Sequence, residues 1–129
     1  MNEIETYCTL AKTLLDTESK IKNLIVEIVT ECMPKGYEFS HILKLDTIDL
    51  TYRAIFCEKY NSDKIIHCDF IYKDKQVIVQ TACVNMFNTF YVYPDKPYAL
   101  KGSNADETFP YDKARLKETF KVFDSLKKV

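Results

Sequence analysis

Residues 21–45 read IKNLIVEIVTECMPKGYEFSHILKL, and this stretch decides the fold because the spacing of its apolar residues changes inside it. Up to Cys32 the apolar residues recur every three or four positions, which is the repeat of one face of an α-helix. From Phe39 onward they alternate, which is the repeat of a β-strand with one buried face. Pro34 and Gly36 stand between the two patterns and predict the end of the helix.

The helical pattern extends back to residue 3 and predicts an amphipathic helix over residues 3–33. Its apolar seam consists of Ile4, Tyr7, Ala11, Leu14, Ile21, Ile25, Ile28 and Cys32. Glu18 is the one residue that interrupts this seam. Such a helix is about 45 Å long at 1.5 Å per residue. Because that exceeds the width of a domain of this size, we expect part of the helix to project or to bind a partner, and the seam allows a homodimer.

The alternating pattern continues and predicts a sheet over residues 38–93. Short connections force neighbouring strands to run antiparallel, so we expect a meander of four or five strands. Residues 94–109 hold two prolines, a glycine and a polar run, and predict a long loop. A second helix is predicted over residues 110–128, beside the first helix on one face of the sheet. Residues 1–129 are therefore expected to form a single two-layer α+β domain.

The five cysteines are an odd number and stand far apart in apolar surroundings. The N-terminus has no secretory signal, so we expect them to be reduced thiols in the core. Residues 61–63, Asn-Ser-Asp, favour a hairpin turn, which would place Cys57 opposite Cys68. These cysteines and His67 lack the close Cys-x-x-Cys pairs of structural zinc sites. The sequence therefore predicts no bound metal and no cofactor.

Composition excludes some classes of protein. The formal net charge is −1, and lysine outnumbers arginine by sixteen to two. A chain with this charge has no global field that recruits nucleic acid, and it is poor in the residue preferred for reading phosphates and bases. No stretch approaches the roughly 20 apolar residues of a membrane span. We expect a soluble, cytoplasmic protein that does not interact with membranes.

Two clusters of polar residues suggest alternative functions. Lys113, Lys117 and Lys121 are four positions apart on the second helix, where they could follow a nucleic-acid backbone or form an ordinary solvated face. His67 and Asp69 share one face of a strand, as a catalytic base and its orienting group would. A polar pair on the open side of the sheet is the simpler interpretation. No glycine-rich phosphate loop is present, and we expect no catalytic residues.

Aromatic residues cluster near the predicted loop. The candidates for partner binding are Phe87, Phe90, Tyr91, Tyr93 and Tyr98. Aromatic side chains are enriched in protein interfaces because they bury a large area at low entropic cost. Both faces of the predicted strand are apolar, so one face is available to a partner unless a helix covers one and the loop covers the other.

These patterns favour a small non-catalytic protein-binding module that acts as an adaptor or inhibitor of a protein partner. An accessory protein of a phage or another mobile element would have these properties. The first alternative is a nucleic-acid-binding module that uses the lysine face and exposed tyrosines. The second is a small-ligand-binding or enzymatic domain with a pocket between sheet and helices.

Overall fold

A computed structural model describes residues 2–92, 99–101 and 108–126, with the backbone alone for residues 61, 62 and 99–101. A long N-terminal helix, an antiparallel sheet and a C-terminal helix make up these residues, which confirms the predicted α+β class. In chain order the elements are α1 (Glu3–Cys32), β1 (Tyr37–Asp46), β2 (Thr51–Glu58), β3 (Asn61–Lys73), β4 (Gln76–Asn85), β5 (Asn88–Val92), β6 (Ala99–Lys101), β7 (Thr108–Pro110) and α2 (Lys113–Asp124).

The sheet is an antiparallel meander. Strands β1 to β6 follow one another in space in chain order, and the short β7 pairs with β4 at the end of that strand where β5 does not. Asp74 and Lys75 turn the chain from β3 into β4, and Met86 and Phe87 turn it from β4 into β5. All four residues have positive φ, as a two-residue type I′ turn requires at both central positions. The twist of the strands therefore selects these turns without the help of glycine.

Both helices lie on the same face of the sheet and enclose the core. Helix α2 contributes Leu116, Phe120 and Phe123, all fully buried. The buried residues of helix α1, which are Ile25, Val29 and Cys32, all lie in its C-terminal third. The sheet supplies alternate residues of its three central strands, which are Tyr52, Ala54, Phe56, Ile66, Cys68, Phe70, Val79 and Cys83. Burial raises the pKa of the Cys83 thiol to about 12, so this residue is a core thiol that stays protonated at neutral pH.

A lysine lies among these core residues and holds the end of α2. Lys64 is 2% exposed, and its Nζ donates to the backbone oxygens of Asp124 at 3.1 Å and Leu126 at 3.0 Å. The same Nζ lies 3.8 Å from the Glu58 carboxylate and 5.7 Å from the centre of the Tyr37 ring. A cation at a helix C-terminus satisfies carbonyl groups that have no partner within the helix.

The predicted hairpin turn at residues 61–63 is wrong. The chain turns at residues 59–60, where Tyr60 takes the left-handed conformation with φ of +63°, and residue 61 already belongs to β3. Cys57 consequently pairs with Ile65, and Cys68 pairs with Ala54. The polar residues that favour a turn in isolation are placed in a strand because the pairing of β2 with β3 fixes the register.

The predicted loop over residues 94–109 is wrong in part. It contains β6, which extends the sheet beyond β5, and most of β7, whose Phe109 is buried in the core. Three-residue strands are too short to produce a visible alternation, so their formation depends on the existing sheet edge. Helix α2 spans Lys113–Asp124 and is shorter than the predicted 110–128. It begins after Asp112, which caps it by accepting from the amides of Ala114 and Arg115.

Candidate functional site

The N-terminal half of α1 projects beyond the sheet. Glu18 of this helix forms an ion pair with Lys44 of β1, and the buried residues of the helix begin at Ile25. The segment before Glu18 is about 22 Å long at 1.5 Å per residue. Its large apolar side chains are Ile4, Tyr7, Leu10, Leu14 and Leu15, each at least 60% exposed. We call these five residues the apolar stripe.

The opposite side of the projecting segment is polar and carries a row of threonines. The hydroxyl groups of Thr6, Thr9, Thr13 and Thr17 each donate to the backbone oxygen four residues earlier, at 2.8 to 3.1 Å. Such bonds keep the hydroxyl groups on the helix surface. The segment therefore has one polar, solvent-facing side and one apolar side. No described strand or helix covers the apolar side.

An apolar groove lies where α1 leaves the sheet. Its volume is about 290 Å³, and charged residues are absent from its lining. Ile21, Leu24 and Ile28 form the helical wall, and the ends of β2, β3 and β4 form the other wall together with Tyr111. Leu24 is 56% exposed at this wall. The apolar stripe lies on the same side of α1 as Ile21 and Ile25, so stripe and groove follow one another along that side of the helix, with Glu18 between them.

Glu18 stands at the junction between stripe and groove. Its Oε1 accepts from the Lys44 ammonium and, at 3.4 Å, from the Tyr52 hydroxyl. The hydrogen bond from Lys44 lowers the pKa of the Glu18 carboxyl, so the group is ionised at neutral pH. The acid that interrupts the seam in the sequence therefore fastens α1 to the rim of the sheet.

The other face of the sheet carries a polar pocket. Arg53 on β2 donates to both carboxylate oxygens of Asp69 on β3, from Nε at 2.8 Å and from Nη2 at 3.0 Å. These two residues line a pocket of about 200 Å³ with His67, Gln80 and Tyr91. Asp69 therefore pairs with Arg53, whereas the sequence suggested that it could orient His67. His67 and Asp69 do share one face of β3, as predicted.

Burial lowers the pKa of His67, and the positive charge of Arg53 lowers it further. Asp69 acts in the opposite direction, and His41 adds to the lowering. His67 is therefore neutral at physiological pH, with one ring nitrogen as donor and the other as acceptor.

The stability of the fold is expected to fall as the pH drops from about 7.5 to about 5.5. In this range the unfolded chain takes up a proton at the ordinary pKa of histidine, 6.5, whereas the folded chain resists it. Thermal unfolding at several pH values measures the effect, and His67→Gln should flatten the profile. His41→Gln, at the other histidine of the chain, is the matched control and should preserve most of the slope, because burial and Arg53 lower the pKa of His67 more than His41 does. An unchanged slope in His67→Gln would contradict the assignment.

The predicted partner-binding aromatics are not brought together on one surface. Phe87 is 96% exposed at the tip of the β4–β5 turn. Phe90 lies on the helix side of β5 against the core, whereas Tyr91 is buried on the other side. Tyr93 and Tyr98 lie outside the described residues. Partner binding by this group stays a prediction, in which Phe87 is the most accessible of the three described members.

Two of the predicted nucleic-acid lysines have acidic neighbours. Lys113 forms an ion pair with Glu31 of α1, and Lys121 lies 3.3 Å from Glu118 on its own helix. Both arrangements lower the net positive charge of the lysine face that also includes Lys117. Nucleic-acid binding at this face stays a prediction.

Sequence patterns did not point to Lys64 or to the partner of Asp69. The signal for Lys64 was present, because it precedes Ile66, Cys68 and Phe70 at the alternate spacing that marks the buried face. The signal for Arg53 appears only once the register of β2 with β3 is known. Within the described residues, no group of three His, Cys, Asp or Glu side chains is arranged to hold a metal ion.

Neither of the described helices is long and apolar enough to cross a membrane. Comparison of the chain with protein-family models, with curated proteins and with solved structures finds no match.

Proposed function

We propose that this protein is a small non-catalytic protein-binding module, an adaptor or inhibitor, that holds its partner through the apolar stripe of α1. The observation that carries the proposal is the exposure of the stripe, whose five large side chains each keep at least 60% of their surface open. Single apolar residues are common on protein surfaces. A contiguous stripe of this size is typical of an interaction site.

The chemistry of the surface favours a helical partner. The stripe repeats at three and four positions, so it offers ridges and grooves with the spacing of another helix. Beyond Glu18 it is followed by a groove whose lining is free of charged residues, where a strongly polar ligand would leave its own groups unpaired. The apolar face of an amphipathic helix meets both requirements.

A photo-cross-linking amino acid at position 14 is expected to capture a protein when the full chain is irradiated in cells. The same residue at position 16 is the matched control, since Asp16 lies on the opposite, polar side of the helix and is also exposed. The mass of the adduct, measured after purification, identifies the captured chain.

A discrete adduct at position 14, with none at position 16, supports the proposal. Equal yields at the two positions would indicate random collisions, and the absence of any protein adduct at position 14 would refute protein binding by the stripe.

A further inference from the structure

We infer that the helix received by the apolar stripe and groove is α1 of a second copy of this chain, lying antiparallel to the first. This inference rests on the proposed function and names its partner. It follows from the spacing of the seam, from the side chains that the spacing pairs, and from the position of the folded part of each chain.

The spacing of the seam reads the same in both directions. Its positions over the projecting segment and the start of the groove are 4, 7, 11, 14, 18 and 21. The intervals alternate between three and four, beginning and ending with three. Two antiparallel copies centred between positions 11 and 14 therefore place every seam residue of one copy opposite a seam residue of the other.

The side chains in these layers complement one another. Ala11 faces Leu14 of the second copy in the two central layers, where a small residue opposite a large one lets the helices approach closely. Ile4 faces Ile21 of the second copy in the two outer layers, so the tip of each helix enters the groove of the other. Each outer layer is thus apolar on both sides.

The remaining two layers pair Tyr7 with Glu18 of the second copy. Glu18 is the one acidic residue on the seam, and Tyr7 is the one seam residue over positions 4–21 with a hydroxyl donor. The contacts that Glu18 makes with Lys44 and Tyr52 both fall on Oε1, so Oε2 is the natural acceptor for the Tyr7 hydroxyl. A residue that would disrupt an all-apolar seam therefore has a matching donor in this register.

A parallel arrangement lacks this fit. It would place the two Glu18 carboxylates in one layer and the acidic tips, Glu3 and Glu5, side by side. It would also bring both sheets to the same end of the helix pair, although Ile25 and Val29 of each copy are already buried against that copy's own sheet. The antiparallel arrangement places the two sheets at opposite ends and aligns the helix dipoles favourably.

The exposed surface has the size that a stable dimer needs. The five stripe residues, with Leu24 and the groove beyond it, offer an area on the order of 800 Å² per copy, the typical contribution of one partner to a standard interface. A two-fold arrangement uses the same surface on both copies, so nothing of the stripe is left uncovered.

Disulfide trapping between two variants that each carry one introduced cysteine tests the register. Ala11→Cys and Leu14→Cys are each placed in a chain that also carries Cys8→Ser, which removes the exposed native thiol. Helices 8–10 Å apart bring facing α-carbons within the roughly 7 Å that a disulfide permits. Oxidation of the mixed variants is expected to give an 11–14 cross-linked dimer, identified by peptide mapping, whereas neither variant alone should cross-link. Efficient cross-linking of either variant alone would overturn the antiparallel register.

Native mass spectrometry and sedimentation of the unaltered full chain test the association itself. We expect a dimer of twice 15.1 kDa at micromolar concentration. Leu14→Asp should weaken it at least about 100-fold because the change occurs twice in a symmetric interface. Thr13→Asp, on the polar side of the same turn, should leave the dimer intact. Leu14 is exposed in the single chain, so its replacement should not disturb the fold. The circular dichroism spectra of both variants should match that of the unaltered chain.

The outcomes separate the two claims. A photo-adduct at position 14 that contains a second copy of the chain supports both of them. An adduct with a different protein, together with a monomeric purified chain, overturns the dimer but preserves protein binding by the stripe. A monomeric chain without any adduct overturns both.

Discussion

Replacing Lys64 with methionine is expected to lower the free energy of unfolding by about 2–4 kcal/mol. Methionine keeps most of the volume of the lysine stem but cannot donate. The backbone oxygens of Asp124 and Leu126, which the buried Lys64 now bonds at 3.1 and 3.0 Å, would lose that donor. A hydrogen bond from a charged donor contributes about 1.5–3 kcal/mol, and here two acceptors at the end of α2 lose one.

The loss should be concentrated in α2. This helix has 12 residues, too few to be stable without packing and caps, and its Phe120 and Phe123 are fully buried against the sheet. Urea unfolding measures the total effect, and native-state hydrogen exchange shows where it falls. We expect the amides of α2 to exchange faster than those of β3, where the substitution itself lies.

Lys73→Met is the matched control for this substitution. Lys73 is on the same strand, but its side chain is 53% exposed and lies 3.7 Å from the half-exposed carboxylate of Asp49. Exposed pairs of this kind contribute less than about 1 kcal/mol. Equal losses in the two variants would mean that Lys64 does not hold the end of α2.

The parts of the fold that the sequence predicts are those determined by local pattern. The helical repeat up to Cys32 and the alternation from Phe39 are each carried by residues within one element, and Pro34 blocks any continuous helix between them. The same holds for the layered arrangement, because every element has one apolar face that must be covered. These features need no knowledge of which strand pairs with which.

The turns and the register depend on longer-range contacts. Tyr60, Asp74, Lys75, Met86 and Phe87 all have positive φ, although four of these five are not residues that favour it. Strand pairing imposes that conformation, at a local cost that the ladder offsets. A prediction that relied on the turn preference of residues 61–63 therefore displaced the hairpin and paired Cys57 with the wrong residue.

The sequence predicts that part of α1 is available for binding, but it does not predict how far along the helix that part extends. The length of α1 alone indicates that part of the helix extends beyond a domain of this size. The apolar seam, however, runs from Ile4 to Cys32 with Glu18 as its one interruption, so periodicity cannot tell which half packs on the sheet. In the structure the C-terminal half lies on the sheet, where Ile25, Val29 and Cys32 are buried and Glu18 pairs with Lys44 from far along the chain.

For the pair Arg53 and Asp69, we expect a stability change that differs from the sum of the interactions removed. Arg53→Met alone should destabilise the fold by about 2–4 kcal/mol, because it leaves a buried carboxylate without the cation that compensates it. Asp69 is 5% exposed and accepts both of its bonds from Arg53 within the described part of the chain. The cost arises from the remaining charge and not from the lost attraction as such.

The double variant Arg53→Met with Asp69→Leu should therefore be more stable than Arg53→Met. Removing both partners deletes the desolvated charge, and apolar side chains of similar volume can pack against Tyr91 and Ala82 in the same pocket. Buried ion pairs replaced in this way are often neutral or even stabilising. Urea unfolding of the two single variants and the double variant completes a double-mutant cycle, whose interaction free energy should be large and favourable to the pair.

An exposed pair provides the reference for this cycle. Lys121 and Glu118 lie 3.3 Å apart with side chains at least 70% exposed, so Lys121→Met should change stability by less than about 0.5 kcal/mol. If Arg53→Met behaved like Lys121→Met, the carboxylate of Asp69 would have to be hydrated in the folded state. If the double variant were as unstable as Arg53→Met, the pair would be required for the geometry of the sheet face itself, since charge alone would no longer account for the loss.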